Sequence, residues 1–221
     1  VQGPNAMKVL AAANDNGMPE PFGYFEVASV SLGGQEVIIS RTGFTNELGW
    51  EFYTEPHHDP DALWNHLADV GKSYGMEIFG LDAMNIRRIE AGILNAGSDF
   101  NHTTNPFEVG LGRFVDMSKE DFIGKSALLS ASRGLRHFGI RCLSGEPMIS
   151  GEVKKNEKNI GVVTAGAISP YLKHGIGYVL LESSGFNFHE KIEIKCRDGS
   201  MHAADLVELP FYDKLAEIPR G

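Results

Sequence analysis

Residues 41–53, RTGFTNELGWEFY, combine the side chains that could bind a ligand through charge and stacking. One carboxylate, Glu51, stands among three aromatic residues, with Trp50 before it and Phe52 and Tyr53 after it. A carboxylate can accept two parallel N–H bonds from a flat heterocycle with an amidine-like edge, such as guanine or pterin, while rings stack on its faces. The pattern alone favours a simpler interpretation, in which the rings are core residues and Glu51 lies on the solvent face of a strand.

Two adjacent arginines, Arg87 and Arg88, are the other residues of chemical interest, and one of such a pair on a helix is commonly solvated. Other catalytic patterns are incomplete. The glycine pair at 110–112 lacks the third glycine of a dinucleotide fingerprint, and no phosphate-binding GxxxxGK motif is present. Ser98 and Ser169 have no nucleophile-elbow pattern around them.

Metal-ligand patterns are also absent from the sequence. The chain has eight histidines, including His57, His58 and His66, but no HExxH motif and no Cys/His cluster with ligand spacing. Cys142 and Cys196 stand far apart without CxxC spacing. We therefore predict no metal site, and reduced thiols in a cytoplasmic compartment.

Composition sets broad limits on partners. The chain has 221 residues, 42% of them hydrophobic, which is enough for one large domain or two smaller ones. Lys and Arg number 20 and Asp and Glu 29, giving a formal net charge of −9 without a basic run, so we expect no nucleic-acid partner. No apolar run reaches transmembrane length, so we expect no membrane partner.

Periodicity and turn residues predict the elements that would position these side chains. Gly33-Gly34 predicts a hairpin turn, Asp59-Pro60 predicts a helix start, and Gly92 lies near a predicted helix end. The expected helices cover 4–10, 59–75, 81–91 and 124–132, and the expected strands cover 25–32, 35–40 and 50–55.

The pattern changes beyond about residue 133. Short strand-like runs at 137–143, 160–164, 176–181, 191–196 and 203–207 are separated by turn residues, which predicts a small antiparallel barrel or sandwich. The predicted fold is therefore α+β, with a mixed α/β domain at 1–134 followed by a β-domain at 135–221. Because a helix is predicted almost at the first residue, we expect that upstream sequence, or a partner subunit in its place, completes the first domain.

Several motifs occur in an order that resembles the aminomethyltransferase family, which includes the glycine cleavage T-protein, the folate domains of dimethylglycine and sarcosine dehydrogenases, and dimethylsulfoniopropionate demethylase. The resemblance covers nearly the whole chain. It rests on VQGP at 1–4, RTGFTNELGWE at 41–51, GLDAMNIRRIEAG at 80–92, PFEVGLG at 106–112, FIGKSAL at 122–128 and Ser169-Pro170.

This resemblance implies a tetrahydrofolate cofactor in a central hole of the first domain, followed by a small β-barrel. Glu51 would hold the pterin edge, Arg88 rather than Arg87 would contact folate, and Phe44 and Trp50 would complete the cofactor-binding set. The family's catalytic aspartate lies upstream of VQGP. The catalytic residue of this chain is therefore unknown, and we expect the chain alone to be inactive.

Three positions depart from the T-protein pattern. The tyrosine that opens the loop motif is Phe44, the glycine two residues later is Asn46, and the aromatic residue eight positions after the arginine is Ala96. Ala96 would either widen the pocket for a bulkier donor or simply occupy a turn beside Asn95 and Gly97. The ELGWE sequence at 47–51 is more similar to that of the dimethylglycine and sarcosine dehydrogenase relatives than to that of the glycine cleavage enzyme.

The function implied by the resemblance is tetrahydrofolate-dependent one-carbon transfer, from a small-molecule methylated or aminomethyl donor onto folate. The alternatives are a dimethylsulfoniopropionate-type demethylase and a non-catalytic folate-binding module. The second of these carries a Lys-Gly-Cys-Tyr-type motif with a reactive cysteine, and the comparable residues here, 121–125, include no cysteine.

Overall fold

The computed structural model describes all 221 residues and contains a mixed α/β region and a closed six-stranded antiparallel barrel. The predicted α+β fold with a C-terminal barrel is confirmed. The chain forms two compact units, Val1–Arg87 with Asp213–Gly221, and Arg88–Tyr212. No helix is long and apolar enough to span a bilayer.

The first unit is built on a three-stranded antiparallel sheet in the order β1-β2-β3. Its strands are β1 (Val27–Leu32), β2 (Gln35–Ser40) and β3 (Glu51–Tyr53). Gly33 and Gly34 have φ of +57° and +77°, as a primed hairpin turn requires, so the predicted hairpin is confirmed. The third strand is shorter than the predicted 50–55.

Helices pack an apolar face on this sheet. They are α1 (Ala6–Ala13) and α2 (Pro60–Lys72), and their buried side chains join the core around Trp50 and Ile39. The predicted start of α2 is confirmed, because the Asp59 side chain accepts a hydrogen bond of 2.9 Å from the Ala62 N–H.

The barrel strands follow the closed order β4-β7-β6-β5-β8-β9. Their bounds are β4 (Leu135–Cys142), β5 (Glu152–Lys155), β6 (Lys158–Ile168), β7 (Gly175–Glu182), β8 (Lys191–Lys195) and β9 (Met201–Val207). The sequence predicted five of these six strands and missed β5. That strand has one buried apolar residue, Val153, among charged ones, so it carries almost no hydrophobic pattern.

Helix α3 (Leu81–Glu90) ends in a buried polar cluster of the second unit, and a short helix α4 (Lys125–Leu129) replaces the longer one predicted at 124–132. The Tyr178 hydroxyl lies 2.9 Å from the Ile89 carbonyl and 3.1 Å from the Arg88 carbonyl. It therefore adds a side-chain donor near carbonyls that already accept from the Gly92 and Ile93 N–H groups, at 3.1 Å and 2.9 Å. Gly92, with φ of +73°, ends the helix as predicted.

A buried histidine in β4 has an environment that disfavours its charged form. His137 is 9% exposed, and neither ring nitrogen has a hydrogen-bond partner. Burial lowers the pKa of His137 to about 4, and the nearby Asp99 backbone opposes the shift.

We predict that His137 contributes to acid destabilisation. Since its pKa is lower in the folded state than the ordinary value of 6.5, the unfolded chain binds more protons between about pH 6.5 and pH 4. The stabilising contribution is therefore complete above pH 6.5 and lost as the pH falls, by about 3 kcal/mol at most. Urea unfolding at a series of pH values should show a shallower dependence in His137→Leu and an unchanged one in the exposed control His102→Gln. An identical slope in all three proteins would contradict this assignment.

Candidate functional site

The loop that precedes β3 is assembled around the side chain of Gln2. Its Nε2 donates to the Thr42 carbonyl at 3.2 Å, and its Oε1 accepts from the Thr45 hydroxyl at 2.8 Å. A Cβ atom at Gly43 would lie 2.0 Å from Gln2 Oε1, and one at Gly49 would lie 2.3 Å from Nε2. Both glycines are therefore required by the close approach of the inserted glutamine.

Asn46, where the T-protein pattern has glycine, adopts a positive φ. Its φ is +56°, in the left-handed region where asparagine is tolerated better than most residues. Its side-chain amide donates to Asp213 Oδ2 at 2.8 Å. This hydrogen bond ties the loop to the C-terminal segment of the same unit.

Trp50 points into the core of the first unit. It is fully buried, edge-to-face with Phe22 at a ring-centroid distance of 6.1 Å. The Arg41 guanidinium lies 5.7 Å from its ring centroid, and Arg41 also donates to the Phe22 carbonyl at 2.7 Å. Trp50 therefore fixes the start of β3 and has no exposed face for stacking on a ligand.

Glu51 has the opposite environment, because successive residues of a strand point to opposite faces. Its side chain is exposed, and Oε2 accepts a hydrogen bond from the Thr42 hydroxyl. That hydroxyl lies 2.5 Å from the Ser40 hydroxyl, which lies 3.1 Å from the Tyr53 hydroxyl. A chain of three hydroxyls thus holds one carboxylate oxygen, while Oε1 accepts no hydrogen bond.

The two neighbouring arginines of α3 have different roles. Arg87 is partly exposed and pairs with Glu47, whose side chain is 25% exposed. Arg88 is 3% exposed and pairs with Asp99, which is fully buried on its side chain. Arg88 Nη1 also donates to the Ile93 carbonyl at 3.2 Å. The arginine that the resemblance selects is therefore the buried one.

Asp99 is a residue that sequence reasoning did not identify. Burial raises the pKa of its carboxyl group, and the Asn95 N–H, the Arg88 charge and the nearby Thr164 hydroxyl oppose the rise. The Asn95 N–H donates to Oδ2 at 2.8 Å, whereas Oδ1 has no hydrogen-bond partner. A single acid eleven residues after its partner has no periodic signal that could have revealed it.

Ala96 and Phe44, the remaining positions singled out in the sequence, are both accessible. Ala96 is exposed in a bend in which the Gly97 N–H donates to the Phe100 carbonyl at 2.7 Å and Gly97 has φ of +95°. Ala96 thus lies beside a turn, as one of its two interpretations expected, and a wider donor pocket at this position stays a prediction. Phe44 is partly exposed in the loop before β3.

A cavity of about 570 Å³ lies in the first unit, within the range of small-molecule sites. Phe52, Trp64, Ile78 and Phe79 are among its lining residues, and Glu51 is not. Phe52 follows Glu51 in β3 and faces the other side of the sheet. The cavity and the exposed carboxylate therefore lie on different faces of the strand.

Two family models match the chain. The model described as the GCVT N-terminal domain matches residues 1–119, and the glycine cleavage T-protein C-terminal barrel domain matches residues 136–213. The second match agrees with a barrel whose first strand begins at Leu135.

Similar proteins of known name are longer than this chain. An aminomethyltransferase of Alkaliphilus oremlandii is 38% identical over 219 residues, covering 97% of this chain and 59% of the relative. One of Caldanaerobacter subterraneus subsp. tengcongensis is 36% identical, covering 97% and 58%. The chain thus spans less than two thirds of the curated relatives that it matches.

A solved structure supports the same assignment. The crystal structure of glycine cleavage system aminomethyltransferase T from Bartonella henselae has a TM-score of 0.83 and 26% identity, covering 96% of this chain and 58% of that one. The resemblance drawn from the motifs is confirmed. Since the N-terminal model alone matches more than half of the 221 residues, the chain belongs to the aminomethyltransferase family of glycine cleavage T-proteins.

Proposed function

We propose that this chain is the folate-binding and barrel part of a tetrahydrofolate-dependent aminomethyltransferase, in which Glu51 anchors the pterin. The observation that carries the proposal is the state of Glu51, an exposed carboxylate fixed through one oxygen by Thr42 and open at the other. An amidine-like edge needs two acceptors side by side, and this carboxylate offers Oε1 together with the remaining lone pair of Oε2. The residues present therefore fit the group.

The proposed reaction depends mainly on placement. When bound, tetrahydrofolate supplies the nitrogen atoms that take up the one-carbon unit. The contribution of this chain is to orient the pterin, since alignment of two reactants can supply a large part of a rate enhancement. Glu51 performs this orientation at the pterin edge, and Phe44, which is partly exposed in the same loop, is proposed to cover a face of the ring.

Trp50 and Arg88 complete the proposed set in a different way. Trp50 is buried, so its part is to hold the start of β3 and thereby the position of Glu51. Arg88 is held by Asp99 at the end of α3, so its part is to fix that helix end, and any contact with folate must be made with the Asp99 pair in place. No residue of this chain is proposed as the catalytic acid or base.

The donor is proposed to be an aminomethyl group of the glycine cleavage type. The curated relatives carry the name aminomethyltransferase, and the matched solved structure belongs to a glycine cleavage system.

The domain division at 134/135 is also a proposal. It is supported by the spacing of the two family matches, which leave residues 120–135 between them.

Replacement of Glu51 by Gln tests the anchor. The amide keeps the size of the side chain but removes the charge and one acceptor, so affinity for tetrahydrofolate should fall by about 1.5–3 kcal/mol. Calorimetric titration of the complete protein measures this loss. Glu55→Gln, which changes another exposed acid of the same segment, should bind as the unaltered protein does. Equal affinity of Glu51→Gln and Glu55→Gln would overturn the proposed anchor.

The hydroxyl chain behind Glu51 gives a second, graded test. Thr42→Val keeps the shape of the side chain and removes the donor to Oε2, so folate affinity should fall by about 0.5–1.5 kcal/mol. Thr42→Ser should restore most of the loss because it retains the hydroxyl. A Thr42→Ser variant that binds as poorly as Thr42→Val would show that the methyl contact, and not the hydrogen bond, is important.

The Arg88–Asp99 pair is expected to behave as a structural unit. Asp99→Ala removes a carboxylate that pairs with a buried guanidinium and should lower the free energy of unfolding by about 3–5 kcal/mol. The double variant Arg88→Met with Asp99→Leu should recover part of that loss. Glu47→Ala, which breaks the partly exposed pair with Arg87, should cost about 1 kcal/mol or less. Denaturant unfolding decides, and equal losses in Asp99→Ala and Glu47→Ala would refute the structural role.

A further inference from the structure

Three side chains that commonly bind metals meet at one end of the barrel. Cys142 is the last residue of β4, Cys196 follows β8 directly, and His202 is the second residue of β9. The two sulfur atoms are 4.0 Å apart, and one ligand atom from each of the three residues lies within 4.8 Å of the others. Both thiols are buried, while the histidine side chain is 17% exposed.

The separation of the sulfur atoms fits a shared metal ion. With a zinc–sulfur distance of about 2.3 Å and tetrahedral angles, two sulfurs on one zinc ion lie about 3.8 Å apart. A disulfide would require a sulfur–sulfur distance of about 2.05 Å. The observed 4.0 Å between Cys142 and Cys196 is therefore close to the first arrangement and far from the second.

The histidine ring already has the polar neighbours that metal-binding histidines use. Its Nδ1 lies 2.9 Å from the Ser144 hydroxyl, and its Nε2 lies 2.8 Å from Asp198 Oδ2. Whichever nitrogen binds an ion, the other keeps a partner that fixes the ring orientation. A carboxylate in this position also makes the imidazole a better ligand.

Charged side chains of both signs surround the three residues. Asp198 contacts His202 Nε2 at 2.8 Å, and Glu146 pairs with Arg197, which follows Cys196, at 3.0 Å. Metal binding here must displace thiol protons, so affinity should increase with pH.

We propose that Cys142, Cys196 and His202 bind a thiophilic divalent cation, zinc being the expected one, and that the ion clips β4, β8 and β9 together. Binding forms two metal–sulfur bonds and one metal–nitrogen bond, and both thiol protons leave to solvent. Two sulfur ligands and one nitrogen ligand suit zinc, and one coordination position remains for water.

The sequence predicted no metal site because the ligands are separated by 54 and 6 residues. Barrel closure brings β9 between β4 and β8, and this alone makes the three residues neighbours. The proposed site lies wholly within the barrel unit and does not depend on the proposed folate chemistry.

Cobalt is the probe for the test, because thiolate-bound cobalt absorbs in the near ultraviolet and tetrahedral cobalt absorbs strongly in the visible. The 221-residue chain, reduced with a phosphine and freed of metal, is titrated with Co²⁺ and then with Zn²⁺. We expect both absorptions to develop to one equivalent and to disappear when zinc displaces cobalt. Zinc should also raise the thermal unfolding midpoint.

Single substitutions distinguish the proposed metal ligands from residues that do not bind the ion. Cys196→Ala and His202→Gln should remove the cobalt spectrum or weaken binding by more than about 100-fold, and Asp198→Asn should weaken it by about 10–100-fold. His102→Gln, an exposed histidine outside the cluster, should bind like the unaltered chain.

Three results of the metal titrations would overturn the proposal, and a fourth concerns oxidation. These are a folded, reduced chain without the thiolate-to-cobalt absorption, the same spectrum and affinity in Cys196→Ala, or zinc stabilisation that is equal in Cys196→Ala and the unaltered chain. A Cys142–Cys196 disulfide that forms in preference to metal binding, when zinc and a mild oxidant are supplied together, would also overturn it. Circular dichroism of each variant shows that the comparison is made on folded protein.

Discussion

The Arg88 guanidinium has almost no contact with water, so its charge must be balanced by a neighbouring side chain of the second unit. Asp99 supplies the opposite charge, and the bend at 95–99 places its carboxylate against Arg88 Nη1. The Tyr178 hydroxyl donates towards the Arg88 and Ile89 carbonyls at the end of the same helix. The Glu90 carboxylate accepts from the Ser169 hydroxyl at 2.5 Å. Each group satisfies another, so removal of one would cost a buried partner one of its polar contacts.

The loop before β3 in the first unit is held differently, by a side chain from a distant part of the sequence. Gln2 hydrogen-bonds to Thr42 and Thr45, and its amide occupies space that side chains at Gly43 and Gly49 would need. A glutamine amide makes these contacts without a net charge, so it can be half-buried at modest cost. The consequence is a rigid frame in which Thr42 can direct its hydroxyl at Glu51.

Local signals in the sequence were enough for elements that depend on a few adjacent residues. The Gly33-Gly34 turn, the Asp59 cap and the Gly92 helix end were all predicted, because each is set by backbone conformation or a nearest-neighbour hydrogen bond. The motifs also predicted the family, and the change of pattern near 133 predicted the barrel.

Features that depend on contacts between distant residues were not predictable in this way. The insertion of Gln2 beneath a loop forty residues away, the pairing of Arg88 with Asp99 and the meeting of the two cysteines all arise from tertiary structure. The burial of Trp50 beside the exposed Glu51 was one of two interpretations that the pattern left open. Strand alternation explains the result, which agrees with the interpretation that the pattern favoured. The same interpretation placed Tyr53 in the core, and this was wrong, because Tyr53 is 50% exposed on the same face as Glu51.

Burial decides what each proposed cofactor residue can contribute. If Arg88 turned from Asp99 towards a ligand, it would leave a buried carboxylate unpaired, at a cost of about 3–5 kcal/mol. One charge-assisted hydrogen bond to a ligand would return only about 1.5–3 kcal/mol. A ligand contact of Arg88, as proposed, would therefore have to form with the Asp99 pair retained. Glu51 is less constrained, because Thr42 holds Oε2 by a contact that a ligand can share and the other interaction of its charge is the longer-range one with the Val1 ammonium. Discrimination of a pterin edge is thus more readily achieved at the exposed acid than at the buried arginine.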